Sequence, residues 1–187
     1  CSRYLAGLGA RVVATDVSPG MLAEAASINA SALAKAPLVA ADGLRLPFAD
    51  GSFDVVFTSF GVVPFVEDLE ALFAGVARVL APGGVFAYSA PHPVRWMFPD
   101  SPTKRDMTVT TSYFSSDPYV ERGDDGELVY VECHHTLSEH MNALAAAGFA
   151  IERVWEPEWP EGREVVWGGW GPERSPWIPG TLIVRAK

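Results

Sequence analysis

The sequence predicts an α/β protein, an open sheet whose strands are joined by helical crossovers. Three observations carry this expectation. Short β-rich apolar runs alternate with Ala- and Leu-rich stretches of helical character. The first three runs end on polar residues, Asp16, Asp42 and Ser59, where the chain must turn. The helical stretches open on capping residues, as at Ser18, Asp68 and Thr136.

Taken in order, residues 2–9 read as a short helix stopped by Gly9, and Arg11-Val-Val-Ala-Thr reads as a buried strand ending at Asp16. Ser18 with Pro19 behind it gives an N-cap and a first helical position, opening an Ala-rich helix to about Lys35. Pro37 breaks it, and Leu38-Val-Ala-Ala forms a second strand ending at Asp42. A Gly- and Pro-containing loop leads to a third strand, Phe53 to Ser59. Asp68 then caps a helix whose Leu69, Leu72, Phe73, Val76 and Leu80 fall on one face. Pro82-Gly83-Gly84 turns the chain into a fourth strand, Val85 to Ser89.

From Ala90 to about Val131 the pattern dissolves into Pro, Ser, Asp, Gly and aromatics, the expectation for a long functional loop. Thr136-Leu-Ser-Glu139 is a capping box, and the helix behind it carries Leu137, Met141 and Leu144 on one face before Gly148. Phe149 to Trp155 and Thr181 to Arg185 are the last strand candidates. The whole reads as one domain over residues 1–187, with a variable insertion at about 91–131.

Composition narrows the function. The chain is 49% hydrophobic and 20% charged, the balance of an ordinary globular protein. A net charge of −9 with scattered Lys and Arg argues against a nucleic-acid partner and favours a small-molecule substrate. No apolar run reaches the ~20 residues of a membrane span, and no secretory signal is visible. Two cysteines, Cys1 and Cys133, suggest neither a disulfide framework nor a metal site. Cytoplasmic location is the default expectation. Oligomeric state is open.

In an open α/β sheet, ligands bind beyond the carboxyl ends of the strands. Asp16 there can accept hydrogen bonds from both hydroxyls of a ribose, and Asp42 from the exocyclic amine of an adenine, with Met21 and Leu44 as apolar walls. Either Asp serves equally well as a turn or cap residue.

Four strings make the pattern more specific: Val-Val-Ala-Thr-Asp16-Val-Ser-Pro-Gly-Met-Leu, Ala-Asp42-Gly-Leu-Arg-Leu-Pro-Phe, Phe53-Asp-Val-Val-Phe and Arg78-Val-Leu-Ala-Pro-Gly-Gly. In this order and spacing they resemble the successive signatures of the class I S-adenosylmethionine-dependent methyltransferases, in particular the ubiquinone/menaquinone-biosynthesis-like (type 11) family. They cover about residues 1 to 90; the later half is similar only in its Ala-Gly148-Phe helix end and terminal strand pair.

The resemblance implies a Rossmann-like sheet with helices on both faces and an antiparallel C-terminal strand. It implies S-adenosyl-L-methionine as cofactor, with Asp16 on the ribose and Val17 beside it. Asp42 would meet the adenine, with Gly43 and Leu44 next to the ring, and Ser59, Phe60 and Gly61 would line the methionine part and the path to the methyl group. Pro82-Gly83-Gly84 is implied to be structural. The family's first strand and its Asp/Glu-x-Gly-x-Gly-x-Gly loop have no counterpart here. The expectation is therefore an N-terminally truncated domain, completed by an upstream piece or inactive.

The implied reaction is transfer of a methyl group to a small-molecule acceptor. If that acceptor starts protonated a base is needed, and His92, in Ala-Pro-His-Pro after the fourth strand, is the first candidate. Adjacent His134 and His135 would face opposite ways in an extended segment, with packing their expected role, and His140 is expected to be solvated. Trp167 and Trp170 would form an aromatic wall over the acceptor or pack the sheet edge, and Phe98 to Glu127 would be a lid. Two other classes fit parts of the pattern. Asp16 suits a nicotinamide-dependent oxidoreductase, though no Tyr-x-x-x-Lys pair is present. A non-catalytic cofactor-binding domain would fit the absent glycine loop.

Overall fold

The computed structural model describes residues 1–187, which divide into two compact units, Cys1–Asp50 and Gly51–Lys187. The first contains α1 (Ser2–Gly7), β1 (Ala14–Asp16), α2 (Pro19–Ser31) and β2 (Leu38–Ala40). Strands β1 and β2 pair in parallel, Ala14 with Leu38 and Asp16 with Ala40. Helix α2 starts as expected: Pro19 occupies the first turn and the Ser18 hydroxyl accepts the Met21 amide at 3.3 Å. It ends at Ser31, four residues before the expected Lys35, because Ala32 already adopts extended backbone. The strand expected from Arg11 begins only at Ala14, whose amide donates to the Pro37 carbonyl at 2.9 Å.

The second unit holds a four-stranded mixed sheet in the order β3 (Phe53–Ser59), β4 (Leu80–Pro91), β8 (Thr181–Ala186), β7 (Ile151–Trp155). Strands β3 and β4 are parallel and joined through α3 (Leu69–Val79), while β8 runs antiparallel between β4 and β7. The Asp68 side chain caps α3 by accepting the Ala71 amide at 2.8 Å. Leu69, Leu72, Phe73 and Val76 of α3 are buried on the face that the sequence periodicity marks, while Leu80, expected on the same helical face, is buried as the first residue of β4. They join Phe86 and Tyr88 of β4, Leu182 and Val184 of β8, and Leu144 of α4 (Leu137–Ala146) in one core. Phe73, Phe86 and Tyr88 form a triangle of rings with centroids 5.4–5.6 Å apart. Each such side chain contributes about 2–3 kcal/mol through burial. No helix is long and apolar enough to cross a membrane.

Three expectations need correction. Strand β4 starts at Leu80 rather than Val85: Phe53 pairs with Leu80 and Val55 with Val85, so Pro82-Gly83-Gly84 forms an irregularity inside the strand rather than a turn before it. The stretch from 90 to 131 is not featureless. It contains a hairpin, β5 (Tyr119–Arg122) and β6 (Leu128–Glu132), closed by the Gly123 amide on the Glu127 carbonyl at 2.9 Å. His140 is not solvated: its residue exposure is 3%.

Candidate functional site

In the first unit, parallel pairing aligns the carboxyl ends of β1 and β2. Asp16 closes β1 opposite Ala40, its carbonyl accepts the Ala41 amide at 3.0 Å, and Asp42 follows one residue later. Both aspartates fold their own loops: Oδ1 of Asp16 accepts the Ser18 amide at 2.8 Å, and Oδ1 of Asp42 accepts the Leu44 amide at 2.9 Å. The turn role thus occupies one oxygen of each, which leaves Oδ2 open to a ligand. Val17, Met21 and Leu44 leave apolar surface uncovered in this unit, with exposures of 71%, 59% and 37%. Gly43 is half-buried between Asp42 and Leu44. Two open carboxylate oxygens at one edge, with apolar neighbours, fit the hydroxyls, amine and ring of an adenosine.

In the second unit, Ser59, Ser89, Ile183 and Trp155 lie in one row across β3, β4, β8 and β7. Since β3, β4 and β7 run the same way, residues just past Ser59, Ser89 and Trp155 share the carboxyl edge. Ser59 and Ser89 touch through their hydroxyls at 3.3 Å. Phe60 has φ 51°, the sole non-glycine residue with positive φ, and its amide extends the ladder to the Ser89 carbonyl at 2.9 Å. A bulky residue in that region stores strain, which proteins concentrate at functional turns. At Gly61 a Cβ would come within 2.7 Å of the Thr58 hydroxyl, which would have to move to admit a side chain. The Ser59-Phe60-Gly61 segment is therefore a shaped turn at the edge where the sequence put it.

His92 lies on the same edge, three residues beyond Ser89, with its amide held by the Gly180 carbonyl at 3.0 Å. Both ring nitrogens are engaged. Nδ1 accepts the Val94 amide at 3.1 Å, capping the 3₁₀ turn Pro93–Met97, so the proton sits on Nε2 and is donated to Oε1 of Glu156 at 2.7 Å. Burial pushes the imidazole pKa below its ordinary value, against the opposing hydrogen bond and charge of Glu156. Glu156, just beyond β7, has no signal in the sequence that ties it to His92, 64 residues earlier.

The remaining histidines are structural in their contacts. His134 and His135 donate through Nε2 to the carbonyls of Tyr113 and Val66, each at 2.7 Å. His140 shares a hydrogen bond between Nδ1 and the Tyr88 hydroxyl at 3.0 Å within the core. It falls three residues after Leu137 and four before Leu144, and that spacing is the signal that would have put it on the buried face. A second unforeseen cluster surrounds Arg95, which lies over Trp96 at 4.8 Å and 3.6 Å from the buried Glu132, whose other oxygen accepts the Tyr130 hydroxyl at 2.6 Å. Trp170 is buried and Trp167 is 66% exposed, paired by a two-residue bridge.

Residues 1–88 match the family model described as a methyltransferase domain. A demethylmenaquinone methyltransferase of Parafrankia sp. is 41% identical over 141 residues, covering 64% of this chain and 55% of the relative. The chain spans between about a third and about half of the length of the curated relatives it matches. Among solved structures, an S-adenosylmethionine-dependent methyltransferase from Mesorhizobium loti is 28% identical with a TM-score of 0.72, covering 98% of this chain and 83% of its own. A putative S-adenosylmethionine-dependent methyltransferase from Listeria monocytogenes shares the fold at a TM-score of 0.77 and 23% identity, over 98% of this chain and 82% of its own. Signature strings, sheet order and these likenesses agree in direction: residues 1–88 are similar to methyltransferase domains, and the chain as a whole is similar to solved S-adenosylmethionine-dependent methyltransferases.

Proposed function

We propose that the protein transfers a methyl group from S-adenosyl-L-methionine to a small organic acceptor in the cytoplasm. The observation that carries this reading is the pair Asp16, which ends β1, and Asp42, two residues past the end of its parallel neighbour β2, with one carboxylate oxygen each left open. When bound, the cofactor supplies a methyl group on a positively charged sulfur. The chain's own residues do the rest. Asp16 accepts the ribose hydroxyls with Val17 beside it; Asp42 accepts the adenine amine; Gly43, Leu44 and Met21 flank the ring. Ser59, Phe60 and Gly61 line the methionine portion and the approach of the acceptor. Alignment and exclusion of water then provide most of the acceleration.

Residues 1–187 serve as a single methyltransferase domain in this reading, and the segment at about 91–131 covers the acceptor. A net charge of −9 supports a small molecule rather than nucleic acid as the acceptor. Relatives named as demethylmenaquinone methyltransferases make demethylmenaquinone the first acceptor to test. It should be offered in reduced, dihydroxy form, since only an electron-rich ring carbon attacks a sulfonium methyl group. Incubation with methyl-labelled cofactor and that acceptor should yield a labelled, methylated ring. Label transfer to none of a panel of phenolic and quinol acceptors would remove the proposal.

A further inference from the structure

His92 cannot take a proton from an acceptor in the arrangement described above, because neither ring nitrogen has a free lone pair. Nδ1 is occupied by the Val94 amide, and Nε2 carries the proton given to Glu156. The two partners also differ in access. The His92 side chain is 8% exposed, whereas that of Glu156 is 49% exposed. Glu156 uses Oε1 for the imidazole, and Oε2 is left open at the carboxyl edge that holds Ser59, Phe60 and Gly61.

We propose that Glu156 is the proton acceptor of the methyl-transfer reaction and that His92 is its positioning residue. The proposal rests on the methyltransferase reading and deepens it, since a base is needed only for acceptors that start protonated, such as phenols, enols and quinol ring carbons. In the step, the acceptor's electron pair forms the new bond to the methyl carbon. The sulfur–methyl bond breaks with its pair staying on sulfur, turning the sulfonium into a neutral thioether. The acceptor's proton passes to Oε2 of Glu156, converting carboxylate to carboxylic acid, and leaves to water from the exposed side. One positive charge is lost at sulfur and one negative charge at Glu156, so charge balances.

The buried imidazole holds the carboxylate from behind. It is fixed in turn by the Val94 amide at the ring and by the Gly180 carbonyl at its own amide. A carboxylate held at one oxygen and open at the other is the geometry a general base requires. A purely structural tie between the segments after β4 and β7 would make no use of the open oxygen.

The test compares Glu156→Gln, Glu156→Asp and His92→Gln with wild type, using labelled cofactor and reduced demethylmenaquinone. Glutamine keeps an oxygen that can accept from His92 but cannot take the proton. Glu156→Gln should lower kcat about 100-fold or more, with KM for the acceptor and cofactor affinity within about threefold, and Glu156→Asp should restore part of the loss. His92→Gln should lower kcat by a smaller factor, because the carboxylate survives unanchored. Nitrogen-15 NMR of wild type should show His92 as the Nε2–H tautomer, with its shift moved in Glu156→Gln. Turnover of Glu156→Gln at the wild-type rate, or an Nδ1–H tautomer, overturns the assignment while leaving methyl transfer intact. Wild-type protein that binds no cofactor overturns the functional reading, and the assignment with it.

Discussion

The Tyr88 hydroxyl on β4 and Nδ1 of His140 on α4 share a hydrogen bond of 3.0 Å, with both residues buried and their rings stacked 5.8 Å apart. Burial pushes the tyrosine pKa up and pushes His140 down to about 3, so both partners of this hydrogen bond are neutral. This hydrogen bond ties α4 to β4, an inner strand of the four-stranded sheet.

A pH dependence follows from the sign of the His140 shift. Its folded pKa lies below the unfolded value of about 6.5, so between about 3 and 6.5 the unfolded chain binds a proton that the folded chain refuses. Stability from this group is complete above about pH 6.5 and is lost as pH falls towards 3, by about 2 kcal/mol at pH 5. Urea unfolding of wild type and His140→Gln should show a steeper loss for wild type between pH 6.5 and 4.5. Parallel curves would refute it.

Gly84 should tolerate no side chain. A Cβ there would meet the Ala81 carbonyl oxygen at 2.9 Å, Leu80 at 3.0 Å and the Asp54 carbonyl oxygen at 3.1 Å, two of them backbone. Gly84→Ala is expected to destabilise the protein by about 1–3 kcal/mol, as overpacking does. Cofactor affinity of the folded fraction should stay the same, in keeping with a structural role for Pro82-Gly83-Gly84. Chemical denaturation and calorimetry check the two halves separately.

The capping box of α4 should matter to stability alone. The Thr136 hydroxyl accepts the Glu139 amide at 3.3 Å, and the Glu139 carboxylate accepts the Thr136 amide at 2.6 Å. Thr136→Ala should cost about 1 kcal/mol, read as a lowered denaturation midpoint. A change in kcat beyond that of the folded fraction would show that the cap has a second role.

Local signals made most of this legible in advance. Ser18-Pro19, Asp68 and Thr136–Glu139 announce helix starts within a few residues, and the α3 stripe from Leu69 to Val76 announces the buried face. Asp16, Asp42 and Ser59 were visible because strand ends are read from nearest neighbours. What escaped depends on distance along the chain. The His92–Glu156 and Tyr88–His140 pairs join residues 64 and 52 positions apart, and no periodicity encodes such meetings. The β5–β6 hairpin escaped for another reason. Val120, Leu128, Val129 and Tyr130 remain exposed at 36–61%, so no buried face imposes an alternation of apolar and polar residues.

Calorimetric titration of S-adenosyl-L-methionine into wild type, Asp16→Ala and Asp42→Ala tests the central claim most directly. Each carboxylate contributes hydrogen bonds to a charged acceptor, about 1.5–3 kcal/mol in total, so each substitution should weaken binding about 10- to 100-fold without changing the wild-type stoichiometry of one. Binding of equal strength in all three proteins, or binding of NAD in place of the sulfonium cofactor, would contradict it.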